Sequence, residues 1–325
     1  MPTRVATIIN AMETAETIEE QKSVQAEAVT DGFFRKVLRM TYDPFDDYGR
    51  TGHPLTARID APDKIDEIIE GEWDSMAALL NAVRGSIPDD PDLVPLLENS
   101  KCWPVYERIL MKHFHHIEIE AVNSVWGDIP TFEPGRYGEE YEDFETPMFL
   151  EPMPVGTRRL FMIVDPYREE FPSPVRAFTP EGVVHYHDEK DIAEALSTFR
   201  WEVWLGSAPE YKAGLMLDGV VTNASFGIFD YVPLKKFRTQ TPAGTMMERV
   251  NGLAALADML EKGEAFHVKL PHLCKDIGTL DHARRYYEVE VDTGDLAGLS
   301  MKHPNGSYPY HNGDAWTWLR KPEGW

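Results

Sequence analysis

The sequence has only two cysteines, Cys102 and Cys274, in 325 residues. They are far apart and lack metal-ligand spacing, so we expect free thiols in a reducing cytoplasm rather than a disulfide framework or a cysteine zinc site. No apolar run is long enough to cross a bilayer. Residues 1–30 are polar and lack the apolar core of a signal peptide. These absences predict a cytoplasmic protein that does not associate with membranes.

Positive charge is also scarce, because the chain has 32 lysines and arginines but 55 aspartates and glutamates. The net charge is -23 and the pI is about 4.8. A net negative charge of this size repels a polyphosphate such as DNA. A nucleic-acid-binding protein with this composition would therefore need its basic residues clustered on one face. The acidity therefore disfavours DNA and favours a protein partner of basic character. A hydrophobic content of 42% is ordinary for a soluble globular protein, and the length suffices for two domains.

Apolar residues at helical spacing dominate the first part of the chain and predict an all-helical domain over residues 1–138. Pro44 disfavours helical geometry at the residue before it and ends one of these helices. An aspartate-rich loop is expected at 88–95, and the acidic residues 139–145 are expected to form an exposed linker. Helices are predicted at residues 3–25, 33–40, 65–69, 76–83 and 103–125.

The periodicity changes after the linker to short strands alternating with helices. Antiparallel-looking strands mixed with helices predict an α+β class for a second domain over residues 146–325. Helices are predicted at 189–199, 245–260 and 280–291. Strands are predicted at 159–164, 175–178, 183–187, 215–221, 226–231, 265–269, 299–302 and 316–320.

One motif runs from Met153 to Arg159, reads Met-Pro-Val-Gly-Thr-Arg-Arg, and leads into an apolar strand. It resembles the nucleotide-attachment motif of ATP-dependent DNA ligases, Lys-x-Asp-Gly-x-Arg. Met153 stands where that family has its lysine, and Val155 stands where it has its aspartate. The glycine and the arginine of the motif are kept as Gly156 and Arg158.

Further segments resemble the ligases of T-even bacteriophages in order and spacing. The resemblance implies a helical DNA-binding-like domain at 1–138 and an adenylation-like, nucleotidyltransferase domain at 146–325. It also implies a phage-encoded protein that acts in the host cytoplasm or in the virion. The segments that carry it are 33–42, 106–112, 123–130, 229–234 and 292–302.

The positions at which this sequence departs from the ligase pattern are those that carry the catalytic chemistry of the family. Ligases attack ATP with a lysine amine, and the thioether of Met153 cannot do so. Magnesium needs oxygen ligands, but Val220 and Ala297 replace the two glutamates that the resemblance implies. Val155 cannot carry charge, and Pro180 replaces an arginine on the ribose side. No catalytic residue and no metal site is therefore expected.

The last family motif, at 316–321, lacks its first lysine, and the sequence ends at Trp325 where a ligase continues into an OB-fold domain. The resemblance thus implies an adenylation-like domain without an OB fold. What it retains of a nucleotide pocket is Gly156, Arg158, Phe229 and Lys302. These residues leave residual ATP or AMP binding open, although a cleft filled by apolar side chains that binds no cofactor is favoured.

Three other interpretations were weighed on the residues. Lys212 is a candidate substitute nucleophile, but it precedes the Asp-Gly strand and lies on the wrong element. Two groups of residues that contain histidine could be read as zinc ligands. A solvent-exposed helix face explains the first group as well, and a surface strand edge explains the second. These groups are His113, His116 and Glu118, and His185 and His187.

The sequence therefore predicts a pseudoenzyme, a catalytically inactive ligase-like protein that acts as a binding or structural subunit on a protein partner. The alternatives are a non-catalytic module that binds a nucleotide or nicked DNA, and an active ligase.

Overall fold

The computed structural model divides the chain into two compact units, Met1–Thr131 and Phe132–Trp325. Each unit is described by itself. The structure describes residues 2–45, 105, 107–109, 114, 117, 119–127, 129–138, 148–164, 175–182, 184–185, 190–197, 209–222, 225–262, 268–269, 274–277, 285, 296–310 and 315–320.

The described part of the first unit is helical, and side-chain caps mark where its helices begin. Thr17 accepts a hydrogen bond from the backbone N–H of Glu20, whose side chain caps Thr17 in return. Asp31 accepts hydrogen bonds from the N–H groups of Phe33 and Phe34, at 3.0 and 3.1 Å. The helices are α1 (Pro2–Thr14), α2 (Ile18–Glu27), α3 (Gly32–Tyr42) and α4 (Ile119–Trp126).

The core of the first unit is built on the apolar stripe of α3. Phe34, Val37 and Leu38 are fully buried and belong to one hydrophobic cluster with Ile9 of α1 and Val122 of α4. The helix predicted at 33–40 is thereby confirmed, because its apolar positions share one face.

The long helix predicted at 103–125 is confirmed only in part, because residues 105 and 107–109 and those from Ile119 onward are helical but the helix is not continuous. Phe114 and Ile117 instead pair in an isolated antiparallel bridge, and α4 begins only at Ile119. The hydroxyl of Tyr42 donates to the carbonyl of Ile117 at 2.8 Å and accepts from the N–H of Phe114 at 3.4 Å. This tyrosine satisfies the backbone groups of the turn, so both apolar side chains reach the core without a continuous helix.

Two sheets of mainly antiparallel strands organise the second unit, which confirms the α+β class. The four-stranded sheet has the order β10-β9-β1-β8, and the six-stranded sheet has the order β4-β3-β2-β5-β6-β7, with β7 parallel to β6. The strands are β1 (Met148–Pro154), β2 (Thr157–Ile163), β3 (Val175–Phe178), β4 (Val184–His185), β5 (Leu215–Val221), β6 (Phe226–Pro233), β7 (Val268–Lys269), β8 (Cys274–Ile277), β9 (Leu296–Lys302) and β10 (Trp316–Arg320).

Three helices accompany these sheets: α5 (Lys190–Ser197), α6 (Leu234–Thr239) and α7 (Met246–Lys262). One face of the six-stranded sheet packs Phe161 and Leu217 against Ile192 and Leu196 of α5. Alternation along the strands therefore turns Arg158 and Asp218 to the opposite face. No helix in the described ranges combines the length and the apolar character needed to span a bilayer.

The predicted strands at 175–178, 215–221 and 316–320 coincide with β3, β5 and β10. Strands β1 and β8 and helix α6 were not predicted. Several predictions lie wholly or largely outside the described residues: the helices at 65–69, 76–83 and 280–291, the loop at 88–95 and the linker at 139–145.

Candidate functional site

A buried ion pair joins Lys302 on β9 to Glu151 on the neighbouring strand β1. The two charged atoms, Nζ and Oε2, are 2.5 Å apart, and both side chains are almost completely buried. Nζ also donates to the carbonyl of Phe229 at 3.2 Å. It lies 4.7 Å from the ring centre of Phe229 and 4.3 Å from that of Trp316. The protein's own groups therefore surround this amine on several sides.

Burial also perturbs Glu151. Desolvation disfavours the charged carboxylate and raises its pKa from 4.5 to about 7, while the positive charge of Lys302 opposes that rise. A carboxyl group in the interior of the second unit consequently titrates near neutral pH.

A second ion pair joins Arg158 on β2 to Asp218 on β5. Nε lies 3.0 Å from Oδ1 and Nη2 lies 2.6 Å from Oδ2, so the contact is bidentate. Nη2 also donates to the carbonyl of Gly135 at 2.7 Å, and the hydroxyl of Tyr308 donates to Oδ2 at 2.6 Å. Burial and the charge of Asp218 raise the pKa of Tyr308 well above its ordinary value. The guanidinium of Arg158 is thus matched by an internal carboxylate.

A third pair, which the sequence did not reveal, joins Arg249 on α7 to Asp230 on β6. Both residues are buried, with contacts of 2.8 Å from Nε to Oδ1 and 3.2 Å from Nη2 to Oδ2. Arg249 also donates to the carbonyl of Gly244 at 2.8 Å, and Asp230 accepts from the N–H of Tyr231 at 2.8 Å. Well-satisfied buried charges of this kind fix local geometry.

Aromatic rings fill the space around these charges. Tyr137 stacks on Trp318, with ring centres 3.9 Å apart and planes at 17°. The guanidinium of Arg158 lies 5.8 Å from the Tyr137 ring and 5.6 Å from the Phe229 ring. The structure therefore brings Arg158, Phe229 and Lys302 close together. We call this region the cleft.

The five positions that depart from the ligase pattern occupy different environments. Met153 is fully buried on β1, and Val220 is buried on β5 opposite Arg158. Val155 is 64% exposed in the turn between β1 and β2. Pro180 and Ala297 are partly exposed. Of these five positions, only Met153 and Val220 therefore place apolar side chains in the interior.

The retained Gly156 has a packing reason of its own. A Cβ atom on this residue would lie 2.3 Å from the carbonyl oxygen of Val221 and 2.7 Å from a methyl group of Val220. Only glycine allows the turn between β1 and β2 to approach β5 this closely.

Of the other candidate residues, the structure describes Lys212 and His185. Lys212 is exposed in the turn after a short 3-10 helix, Pro209–Tyr211. His185 lies on β4, whereas His187, His113, His116 and Glu118 lie outside the described residues. Within the described part of the chain, no group of three or more histidine, cysteine, aspartate or glutamate side chains is arranged to hold a metal ion.

Five residues of this region were not predicted as site residues: Tyr137, Glu151, Asp218, Tyr308 and Trp318. One signal was present: Glu151 lies two residues before Met153, and alternate residues of a strand share a face.

Sequence comparisons give no relative, because no protein-family model and no curated protein matches this chain. Solved structures do match. "Pmar-Lig_Pre." has a TM-score of 0.51 at 19% identity, and "Pmar-Lig_PreS3" has 0.50 at 17%; each match covers 98% of this chain and 78% of the other. The chain has a DNA-ligase-like fold.

A third similar structure is the ATP-dependent DNA ligase from bacteriophage T7 in complex with ATP. Its TM-score is 0.41 at 13% identity, over 53% of this chain and 61% of that one. At 17% and 19% identity, the likeness to the two Pmar-Lig structures extends to the fold alone.

Proposed function

We propose that this ligase-like protein is catalytically inactive and works as a binding or structural subunit that engages a protein partner. One observation carries the proposal: Arg158 and Lys302, the two cations that match the ligase pattern, are already paired with internal carboxylates. Lys302 is fully buried, and the side chain of Arg158 is 12% exposed. A phosphate would have to displace the carboxyl groups of Asp218 and Glu151 from these cations and then lie beside both carboxyl groups.

The chemistry of the motif positions supports the same conclusion. Nucleotidyl transfer to a ligase needs an amine nucleophile, and the position of that amine is held by the buried thioether of Met153. Separating a buried ion pair by removing one partner typically costs about 3–5 kcal/mol. The affinity of a nucleotide would be reduced by a cost of this order at each of the two cations.

The proposed partner is a basic protein surface. The net charge of -23 favours such a partner and accelerates its association at low ionic strength. We place the protein in a phage-encoded assembly for replication, transcription or virion formation, in the host cytoplasm or the particle. Affinity capture from the native source identifies the partner, and we expect salt to weaken the captured complex.

The test of inactivity is incubation with ATP labelled on the α-phosphate, with magnesium, followed by a denaturing gel. We expect no covalent protein–AMP band under conditions in which an active ligase gives one. A labelled band at the mass of this chain would overturn the proposal.

One observation favours a second candidate, a module that binds nicked DNA without chemistry. Helix α3 exposes Arg35, Lys36 and Arg39, which concentrates positive charge on one helix of an acidic protein. Phosphate contacts would give a gel shift on nicked duplex that disappears as salt rises from about 50 to 200 mM. The triple substitution to glutamine should abolish such a shift, whereas Lys235→Gln on α6, a matched exposed lysine, should leave it unchanged.

A further inference from the structure

Residues 132–138 lie along the second unit as a short extended segment, which we call the strap. Its backbone is held at three points by the stretch that leads into β10. The N–H of Gly135 donates to the hydroxyl of Tyr308 at 2.7 Å. The N–H groups of Arg136 and Gly138 donate to the carbonyls of Pro309 and Trp316, at 2.8 and 2.7 Å. The strap is therefore seated by specific hydrogen bonds.

An aromatic ring anchors each end of the strap at a different place. Phe132 stacks on Phe178, with ring centres 5.0 Å apart and planes at 28°, and meets Phe237 edge-on. Tyr137 stacks on Trp318 in the cleft and tilts against Trp316 at 5.0 Å. The two anchors can therefore be removed independently.

The surroundings of Tyr137 are those of a slot for a flat, electron-rich ring. Trp318 supplies a parallel π surface, and the guanidinium of Arg158 supplies a cation near the ring. Arg158 also donates to the carbonyl of Gly135, so the same side chain holds the ring and the backbone of the strap. Tryptophan faces and arginine planes are the surfaces on which nucleobases stack, with little preference among bases.

We propose that the ring of Tyr137 occupies this slot as an internal ligand. The strap, which belongs to the same chain, thereby closes the cleft and excludes any other planar ring of nucleoside size. The inference rests on the proposed function, because it takes the native cleft to bind no nucleotide. A tethered ring competes at an effective concentration on the order of millimolar or higher, so a free nucleoside of modest affinity is excluded.

The test compares three variants of the full chain by thermal unfolding and calorimetric titration with adenosine. Tyr137→Gly removes the internal ring. We expect this variant to bind adenosine at least about tenfold more tightly than the wild type, because no ring of the same chain occupies the slot any longer. Tyr137→Phe keeps the ring and should behave as the wild type. Phe132→Ala removes the other anchor and serves as the matched control, since it loosens the strap without opening the slot.

Circular dichroism and titration with p-cresol, a mimic of the removed side chain, establish that Tyr137→Gly is folded with an open cavity. A rise in Tm with ligand reports binding even if the variant is destabilised. Binding of both p-cresol and adenosine to Tyr137→Gly alone supports the inference. No adenosine binding by Tyr137→Gly, or equal gains in Phe132→Ala, overturns it. Adenosine binding by the wild type would contradict both this inference and the proposed function, whereas failure of Tyr137→Gly alone contradicts only the strap.

Discussion

Glu151 gives a pH dependence of stability whose sign can be worked out from its burial. Its pKa in the folded protein is about 7, against 4.5 for an ordinary glutamate. The folded state therefore holds a proton that the unfolded state has released between these two values. The stabilisation from that proton is fully present below pH 4.5 and is lost as the pH rises through about 7.

The magnitude follows from the same interval. At about 1.4 kcal/mol per pH unit, the change from 4.5 to about 7 corresponds to a loss of about 3 kcal/mol. Glu151→Gln has no proton to release at this position, so it supplies the reference. We expect the free energy of unfolding of the wild type, relative to Glu151→Gln, to fall by up to about 3 kcal/mol between pH 5 and pH 8.

Urea unfolding of both proteins at pH 5, 6, 7 and 8 measures this difference. The subtraction cancels the contributions of the other titrating groups, provided that the two proteins unfold in one transition. A wild type that gains stability relative to Glu151→Gln as the pH rises would refute the reasoning. That result would mean that attraction to Lys302 outweighs desolvation and holds the pKa of Glu151 below 4.5.

Three further outcomes are expected from other positions. Arg249→Met should lower the free energy of unfolding by about 3–5 kcal/mol, because it leaves Asp230 buried without its partner; adding Asp230→Leu should restore most of the loss, as urea unfolding would show. Gly156→Ala should destabilise by about 1–3 kcal/mol, since its Cβ would lie 2.3 Å from a carbonyl oxygen, whereas Gly32→Ala, which meets nothing within 4 Å, should not destabilise. Met153→Lys should give no labelled protein–AMP adduct, because the restored amine would still face a cleft whose cations are already paired; an adduct would show that the missing lysine alone prevents the reaction.

The sequence pattern predicted β3 and β5 with the bounds that the structure shows, because most of their residues are apolar and neither contains proline. Strand β1 was missed because Pro152 and Pro154 fall within it, and proline cannot donate to a sheet ladder. The structure nevertheless pairs Pro152 with Leu299 and Pro154 with Leu296 on β9. Glu151 lies on this strand. Because the strand was not predicted, Glu151 was not identified as the partner of Lys302.

Local sequence patterns could not predict which residues, distant in the chain, contact one another in the cleft. Lys302 was identified from its motif and Glu151 was not, because their pairing depends on the register of β1 against β9. Tyr137 was placed at the end of the helical domain, at 1–138, yet its ring lies in the cleft of the second unit. Sequence patterns assign residues to elements, whereas the meeting of distant elements decides which charges and rings touch.

The three buried pairs also locate the charge that a partner would meet. Each pair joins one cation to one carboxylate, and the Arg158 and Arg249 contacts are bidentate. Fully ionised, the pairs add nothing to the net charge, so the excess of -23 is carried by groups outside them. A basic partner would therefore be attracted to the surface, where salt screens the interaction. The cations of the cleft, by contrast, are compensated inside the protein, because Arg158 and Lys302 are paired with Asp218 and Glu151.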